Sequence, residues 1–108
     1  MRKISASKIK LFNKRVKALL DEHGFEKNTF SFRYYEYRKE TKYGTLHVKI
    51  DSDSSYVFSV FAIFIEPDLA KPVLIELGGN TYSGKCNTHS YDMEEAIRGL
   101  TNLLNAIK

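Results

Sequence analysis

The chain has 108 residues, 43% of them hydrophobic, and a net charge of +4. That length suits a single domain, residues 1–108, and the supply of aromatic and branched residues excludes a disordered chain. The longest apolar run, residues 56–65, is roughly half of what a membrane-spanning helix needs, so we expect no membrane partner. The single cysteine, Cys86, cannot form an internal disulfide. This favours a reducing compartment, and we expect the cytoplasm of a host cell.

Positive charge is concentrated at the N-terminal end of the chain. Residues 1–20 contain seven bases and no acid, whereas the remaining residues contain 10 bases and 13 acids. Such asymmetry favours an electrostatic role for the first element, directed at nucleic acid or at an acidic protein surface. A solvated helix face with a basic bias is the alternative explanation.

The first predicted element is a helix that begins near Ser5 or Ser7 and ends at His23. Apolar residues recur along it at helical spacing, and Gly24 suits the left-handed position that follows a helix. At 100° per residue, one face away from the apolar stripe carries Lys3, Lys10, Lys14 and Lys17. Bases near the first turn oppose the helix dipole, so stability alone would not select them. These lysines are therefore candidate partner- or nucleic-acid-binding residues.

Alternating residues predict a β-hairpin in the middle of the chain. Residues 30–39 alternate, a polar turn ends near Gly44, and residues 45–50 alternate again. One face of this hairpin is apolar, and the other is expected to carry Arg33, Tyr35, Tyr37, Lys39, His47 and Lys49. Bases stack on aromatic rings and cations neutralise phosphates, so Arg33, Tyr35, Tyr37 and Lys49 are candidate nucleic-acid-binding residues. Tyrosine also favours strands for packing reasons alone.

The stretch after the hairpin contains one strong strand signal. Residues 56–65 are apolar at both alternate positions, which predicts a central strand covered on both faces. Residues 67–71 fit one helical turn or a tight loop, and residues 73–77 fit a short fourth strand or a buried extended segment. Residues 78–90 are predicted to form a long loop.

The last predicted element is an amphipathic helix. Asp92 and Glu95 have the spacing of a capping box, and an apolar stripe follows from Ala96 to Ile107. Gly99 costs this helix about 1 kcal/mol relative to Ala, which a packing contact would justify. The order is helix, three or four antiparallel strands, helix. We therefore predict an α+β fold with both helices on one face of the sheet.

No motif indicates catalysis or a cofactor. Residues 79–86 nearly match the phosphate-binding pattern GxxxxGK[ST], but Cys86 stands where a magnesium-binding hydroxyl is needed and no helix is predicted to follow at once. Cys86 and His89 lack the further ligands of a metal site and the third group that orients a nucleophile. We predict a protein that is not an enzyme and has no cofactor or metal.

The C-terminal part resembles a group of small phage-encoded proteins. Residues 65–70 (IEPDLA), residues 80–89 (NTYSGKCNTH) and a closing amphipathic helix are similar to the FxxPxxA-like segment, the NPYSGKWNFH-like loop and the helix of that group. The chain differs at Thr81, Cys86 and Thr88, where the group has Pro, Trp and Phe. The resemblance covers roughly the last 45 residues and implies a phage or mobile-element origin without a particular activity.

The loop within this resemblance has two interpretations. In the structural one, the side chains of Asn80 and Asn87 bond to backbone, Gly84 takes a positive φ and Lys85 points into solvent. In the functional one, the loop is a protein-binding tip with Tyr82 and Lys85 as candidate contact residues.

Three binding functions follow from these observations. The preferred one is a non-enzymatic phage- or mobile-element-type inhibitor or modulator of a host protein or nucleoprotein complex, such as a CRISPR effector. The alternative is a nucleic-acid-binding module that uses the basic helix and the Tyr/Arg/Lys sheet face. A small self-assembling protein, as a homodimer, is a third alternative if the strand at residues 56–65 is not fully covered. The acidic balance after residue 20 limits any continuous basic surface, which favours the first.

Overall fold

The computed structural model describes residues 2–28, 35–51 and 55–108. These residues form, in chain order, α1 (Ala6–Glu22), β1 (Glu26–Lys27), β2 (Tyr37–Thr41), β3 (Gly44–Ile50), β4 (Phe58–Phe64), α2 (Pro67–Leu77), β5 (Thr88–Ser90) and α3 (Met93–Ala106). The predicted α+β class is confirmed, with five strands in place of three or four and with one additional helix. No helix in the described ranges has the length and apolar character needed to cross a bilayer.

The five strands form one antiparallel sheet whose spatial order is the chain order, β1-β2-β3-β4-β5. β4 lies between two partners, with Phe64 opposite Leu46 of β3 and Val60 opposite Thr88 of β5. Val60 and Ile63 point to opposite faces of β4, and both are buried. The prediction of a central strand with buried side chains on both faces is thus confirmed for Phe58–Phe64, whereas Tyr56 and Ile65, at the ends of the predicted strand, are exposed. The homodimer alternative requires an uncovered β4, and β4 is covered along Phe58–Phe64.

One face of the sheet carries the hydrophobic core. Side chains of β3 and β4 on this face, and the apolar stripes of all three helices, belong to a single buried cluster. Its members from the two central strands are Leu46, Val48, Ile50, Phe58, Val60, Ala62 and Phe64. Burying a side chain of this size stabilises the fold by about 1.5–3 kcal/mol. The first and last helices therefore share one face of the sheet, as predicted, and α2 joins them there.

The ends of α1 are fixed by the predicted residues. Ser5 is the N-cap, and its side chain accepts a hydrogen bond from the Lys8 amide at 3.4 Å. Gly24 has a φ of 79° just beyond the C-cap residue His23. Residues other than glycine rarely adopt this left-handed backbone conformation, and it ends the helix here.

Residues 67–77 form a single helix, so the helical turn expected at residues 67–71 is present, whereas the strand or extended segment expected at residues 73–77 is wrong. Pro67 begins α2 at a position where an N–H group would have no helical partner. Pro72 lies inside the helix and removes the hydrogen bond to the Asp68 carbonyl. The spacing of the buried residues explains why the helix persists, since one stripe faces the core: Ala70, Val73 and Leu74. Packing of this stripe outweighs the missing bond.

The connection from α2 to α3 is more ordered than the predicted long loop. Thr88–Ser90 pairs with β4 as the fifth strand. Asp92 caps α3 by accepting a hydrogen bond from the Glu94 amide at 3.1 Å. The Glu95 carboxylate accepts a hydrogen bond from the Ser90 hydroxyl at 3.0 Å. The predicted cap is therefore present, but Glu95 closes on Ser90 and not on Asp92, unlike in a reciprocal capping box.

Candidate functional site

A groove of about 570 Å³ lies beside the N-terminal end of α1. It is lined by Arg2, Lys3, Ile4, Ser5, Lys8, Tyr56, Phe58 and Tyr91 and is termed the N-terminal groove. Three of these side chains are basic and three are aromatic, and none of the described lining residues is acidic. This combination of charge and aromatic surface suits a ligand that carries both phosphate and a flat ring.

The fold fixes the position of the N-terminal groove. The Ile4 amide donates a hydrogen bond to the Ser55 carbonyl at 2.6 Å, which holds residues 2–5 along the approach to β4. The Phe58 ring is buried, and its centroid lies 5.0 Å from the centroid of the Phe12 ring of α1. One wall of the groove is therefore part of the core, and the N-terminal segment is anchored to it.

Strand pairing brings the two tyrosines of the groove to the same end of the sheet. Phe58 of β4 pairs with Ser90 of β5 in an antiparallel register. Tyr56 precedes this pair and Tyr91 follows it, and their exposed fractions are 47% and 68%. Neither tyrosine is among the predicted site residues, because residues 88–90 are predicted to be a loop, and a loop has no pairing partner that would place Tyr91 near Tyr56.

The basic side chains of the N-terminal groove are exposed. Arg2, Lys3 and Lys8 all face solvent. The two ion pairs among the described residues join Arg15 to Glu94 and Arg38 to Glu40, and neither uses a base of the groove. Arg2 and Lys8 were counted in the basic segment but not chosen as site residues, although their position on either side of the helix start was visible in the sequence.

The acids that follow Tyr91 are engaged within the protein. Asp92 caps α3, Glu94 binds Arg15, and Glu95 accepts a hydrogen bond from the Ser90 hydroxyl. These carboxylates bind protein donors at the start of α3, and none of them is among the described residues that line the N-terminal groove.

Three of the four lysines that are predicted to share one face of α1 do so. Lys10, Lys14 and Lys17 are exposed on one side of α1. Lys14 and Lys17 also line a cleft of about 340 Å³ together with Glu36, which precedes β2, and Ile50 of β3. Lys3 is separate, because α1 begins at Ala6 and the helical angle does not extend back to residue 3. It lines the N-terminal groove instead, which corrects the prediction of one four-lysine face.

The prediction that Tyr37 and Lys39 lie on the polar-aromatic face of the sheet is wrong. Tyr37 pairs with Val48, and Lys39 pairs with Leu46, so both point toward the helices. Tyr37 packs against the hydrophobic core. The Lys39 ammonium donates a hydrogen bond to the His23 carbonyl. These side chains hold the end of α1 on the sheet and do not form an exposed stacking surface.

The sheet face away from the helices carries only some of the residues that are predicted for the polar-aromatic face. The Tyr35 ring meets the His47 ring edge-on at 6.4 Å between centroids, so Tyr35 lies on the face that Tyr37 does not share. Strict alternation is therefore broken between residues 35 and 37. Lys49 is half-buried on this face. Arg33 lies outside the described residues.

His47 is buried on this same face, with an exposed fraction of 7%. Its Nδ1 atom is 3.1 Å from the Asn28 amide nitrogen, a donor, which indicates an unprotonated Nδ1. Burial lowers the pKa of His47, and the positive charge of Arg38 lowers it further, against a smaller opposing effect of Glu40. A buried neutral imidazole adds no positive charge to this face.

The loop with the phage-like pattern forms a tight turn. The Asn80 side-chain oxygen accepts hydrogen bonds from the amides of Tyr82 and Ser83, both at 2.9 Å. Gly84 has a φ of 78°, and a Cβ atom there would lie 2.3 Å from the Phe64 carbonyl oxygen. The turn therefore holds one shape, with the Tyr82 side chain 93% exposed at its tip.

The remaining predicted features of this loop are also observed. Asn87 accepts a hydrogen bond from the Ala62 amide through its side-chain oxygen at 3.0 Å. Lys85 is exposed, and its backbone bridges to Ile63 of β4. The structural interpretation of the loop is confirmed. A binding role for Tyr82 and Lys85 stays a prediction.

The described residues offer little for acid–base or metal chemistry. Cys86 is partly buried, and burial raises the pKa of its thiol, which disfavours the reactive thiolate. Among the residues that the structure describes, no group of three or more His, Cys, Asp or Glu side chains is placed to hold a metal ion. The arrangement of charge and rings at the N-terminal groove is suited to binding.

Comparisons with known proteins give no relative from which a function can be transferred. No family model matches the chain, and no curated protein or solved structure is significantly similar to it. The phage or mobile-element origin implied by residues 65–89 stays a prediction.

Proposed function

We propose that this chain is a non-enzymatic nucleic-acid-binding protein that contacts the phosphate backbone through the exposed lysines of α1. The observation that carries the proposal is the exposure of Lys10, Lys14 and Lys17 along one side of the helix. At 1.5 Å per residue, these lysines span about 10 Å, a length over which one strand of duplex DNA presents about three phosphates.

The stability of α1 does not account for this charge. The first turn of α1 contains no acid, although acids there would be favoured by the helix dipole. Exposed lysines are also unnecessary for the packing of the helix, whose buried residues are Phe12, Val16 and Leu20. A phosphate-rich partner gives these lysines a role, because each contact releases counterions from the nucleic acid.

The absence of catalysis and a phage or mobile-element origin are part of the same proposal. The buried His47 and the thiol of Cys86, whose pKa is raised by burial, support a binding role, since both are poorly suited to proton transfer or nucleophilic attack. Resemblance of residues 65–89 to small phage proteins supports the origin. Nucleic acid bound in a host nucleoprotein complex would be a natural target of such a protein.

The test is the salt dependence of oligonucleotide binding, measured by fluorescence anisotropy. The variant Lys10→Glu/Lys14→Glu/Lys17→Glu should bind weakly, and the magnitude of its slope of log K against log salt should decrease by about 2 to 3, since each lost phosphate contact accounts for about 0.7–0.9. The matched control is Lys27→Glu/Lys71→Glu/Lys108→Glu, which changes the net charge equally at other exposed lysines. Equal losses in both variants, or no salt-dependent binding by the unmodified protein, would contradict the proposal.

A second candidate function is inhibition of a host protein through the turn at residues 80–85. The exposed Tyr82 ring on a turn fixed by Asn80 favours it, because preorganised aromatic side chains are frequent hot spots. A pull-down from nuclease-treated host lysate would test it, with Tyr82→Ala and Lys85→Ala compared with the unmodified chain. A partner kept after nuclease treatment and lost in these variants would support inhibition. A partner insensitive to both variants would argue against this surface.

A further inference from the structure

The N-terminal groove has the size and lining of a site for a small flat ligand. Its volume of about 570 Å³ lies within the range typical of small-molecule pockets. Phe58 and Ile4 give it an apolar inner surface, and Tyr56 and Tyr91 add two phenol rings. A nucleobase fits such a lining because its faces are apolar and its edges can stay in water.

Both tyrosines of the N-terminal groove present much of their surface to solvent. Tyr91 is 68% and Tyr56 is 47% exposed, and neither belongs to the core cluster. Exposed rings that converge on one groove mark a surface for contact with another molecule. Stacking on such rings accepts any base, because every base presents a π-face.

Positive charge lies at the same groove. Arg2 and Lys3 come from the segment held by the Ile4–Ser55 hydrogen bond, and Lys8 comes from the first turns of α1. Rings and cations are thus supplied by different parts of the chain and meet in one place. A nucleotide needs both, with its base on the rings and its phosphate on the cations.

The form of the nucleic acid follows from the aromatic lining. In a duplex, the faces of the bases are covered by their stacked neighbours, so a ring in the groove cannot reach them without unstacking. A single strand can turn its bases outward. We infer that the N-terminal groove binds one nucleotide of a single-stranded nucleic acid, with the base against Tyr56 or Tyr91 and the phosphate near Arg2, Lys3 and Lys8. This inference rests on the proposed function and specifies the ligand.

The experiment compares four probes of equal length and label by anisotropy: a single-stranded 12-mer, its duplex, an abasic 12-mer and polyglutamate. The abasic strand keeps the phosphates and lacks the bases. The unmodified protein should bind the single strand at least about fivefold more tightly than the abasic strand, the lower bound expected for stacking one base. Equal binding of the two strands, tighter binding of the duplex, or equal binding of polyglutamate, which would indicate an acidic-peptide site, would overturn the inference.

Substitutions of the groove tyrosines test whether the preference for bases over the abasic strand arises in the N-terminal groove. Tyr56→Leu/Tyr91→Leu keeps apolar volume and removes both rings, and it should abolish the preference for bases over the abasic strand. Ile75→Ala, at an apolar side chain of α2 that is 63% exposed and outside the groove lining, should leave that preference unchanged. If the double variant fails to fold by circular dichroism, Tyr91→Leu alone takes its place, since Tyr91 is the more exposed of the pair. An unchanged preference in a folded ring variant would overturn the inference.

The same measurements separate the inference from the proposed function. A base preference that depends on the groove tyrosines but not on Lys10, Lys14 and Lys17 would support the groove and contradict the α1 interface. Binding that depends on those lysines and shows no base preference would support the α1 interface and overturn the groove assignment. No binding of any oligonucleotide would overturn both.

Discussion

Arg15 of α1 and Glu94 in the first turn of α3 form a bidentate ion pair. Arg15 Nη1 bonds Glu94 Oε1, and Nη2 donates to Oε2 at 3.1 Å. The carboxylate also lies at a helix N-terminus, where the dipole favours negative charge. The pair joins the helix that carries the exposed lysines to the start of the helix that follows Tyr91.

The first prediction concerns the pKa of Glu94. The hydrogen bond from Arg15 lowers this pKa, with a smaller contribution from the positive charge of Arg98. Arg15→Gln should therefore raise the pKa of Glu94 toward the usual glutamate value, as measured by NMR titration of the side-chain carboxyl carbon. Arg98→Gln should raise it less. A carboxyl with a lowered folded-state pKa stabilises the fold above its unfolded pKa and loses this effect as pH falls through the folded value. The exposed position keeps the stability change small.

The second prediction uses two glycines with nearly the same backbone. Gly24 and Gly84 have φ values of 79° and 78°, but only Gly84 has a neighbour within 4 Å, the Phe64 carbonyl oxygen being 2.3 Å from an added Cβ. Gly24→Ala should reduce the free energy of unfolding by about 1 kcal/mol through backbone strain alone. Gly84→Ala should cost about 3 kcal/mol or more, because the clash is with backbone. Urea denaturation measures both, and equal losses would contradict the role of Gly84 in the turn.

The sequence predicted those elements whose local pattern agrees with their packing. α1 and α3 have clear apolar periodicity and caps, β4 is apolar at both alternate positions, and all three form where expected. α2 was missed because Pro72 argues against a helix locally, while the buried stripe that stabilises α2 depends on tertiary contacts. β5 was missed because its three residues gain their strand conformation from pairing with β4.

The candidate site was predicted only in part, for a related reason. The lysines of α1 are local in sequence, so helical geometry was enough to place Lys10, Lys14 and Lys17 on one face. The N-terminal groove is non-local, since it needs Tyr56 and Tyr91 to meet across the β4–β5 pair. Tyr37 was placed on the wrong face because alternation was continued through a point where the chain breaks it.

The third prediction concerns the pH dependence of stability. Burial lowers the pKa of His47, so the unfolded state binds a proton more readily than the folded state. The contribution of His47 is fully present above the unfolded pKa of about 6.5 and is lost as pH falls from there toward the folded value. The free energy of unfolding, measured in urea at pH 7.5, 6.5 and 5.5, should therefore decline toward acid. His47→Gln should flatten this decline, whereas His89→Gln, at an exposed position, should not. A decline of the same size in both variants would assign it to other groups.

The fourth prediction concerns the close contact between α3 and β5. A Cβ atom on Gly99 would lie 2.2 Å from Thr88 Oγ1 and 3.2 Å from Thr88 Cβ. Gly99→Ala should therefore destabilise the protein by about 1–3 kcal/mol, although alanine favours a helix over glycine by about 1 kcal/mol. Thr88→Ala removes the nearest atom, and the double variant Gly99→Ala/Thr88→Ala should recover stability relative to Gly99→Ala alone. A double-mutant cycle of thermal and urea unfolding measures this coupling. Additive effects of the two substitutions would mean that the contact does not limit the approach of α3 to the sheet.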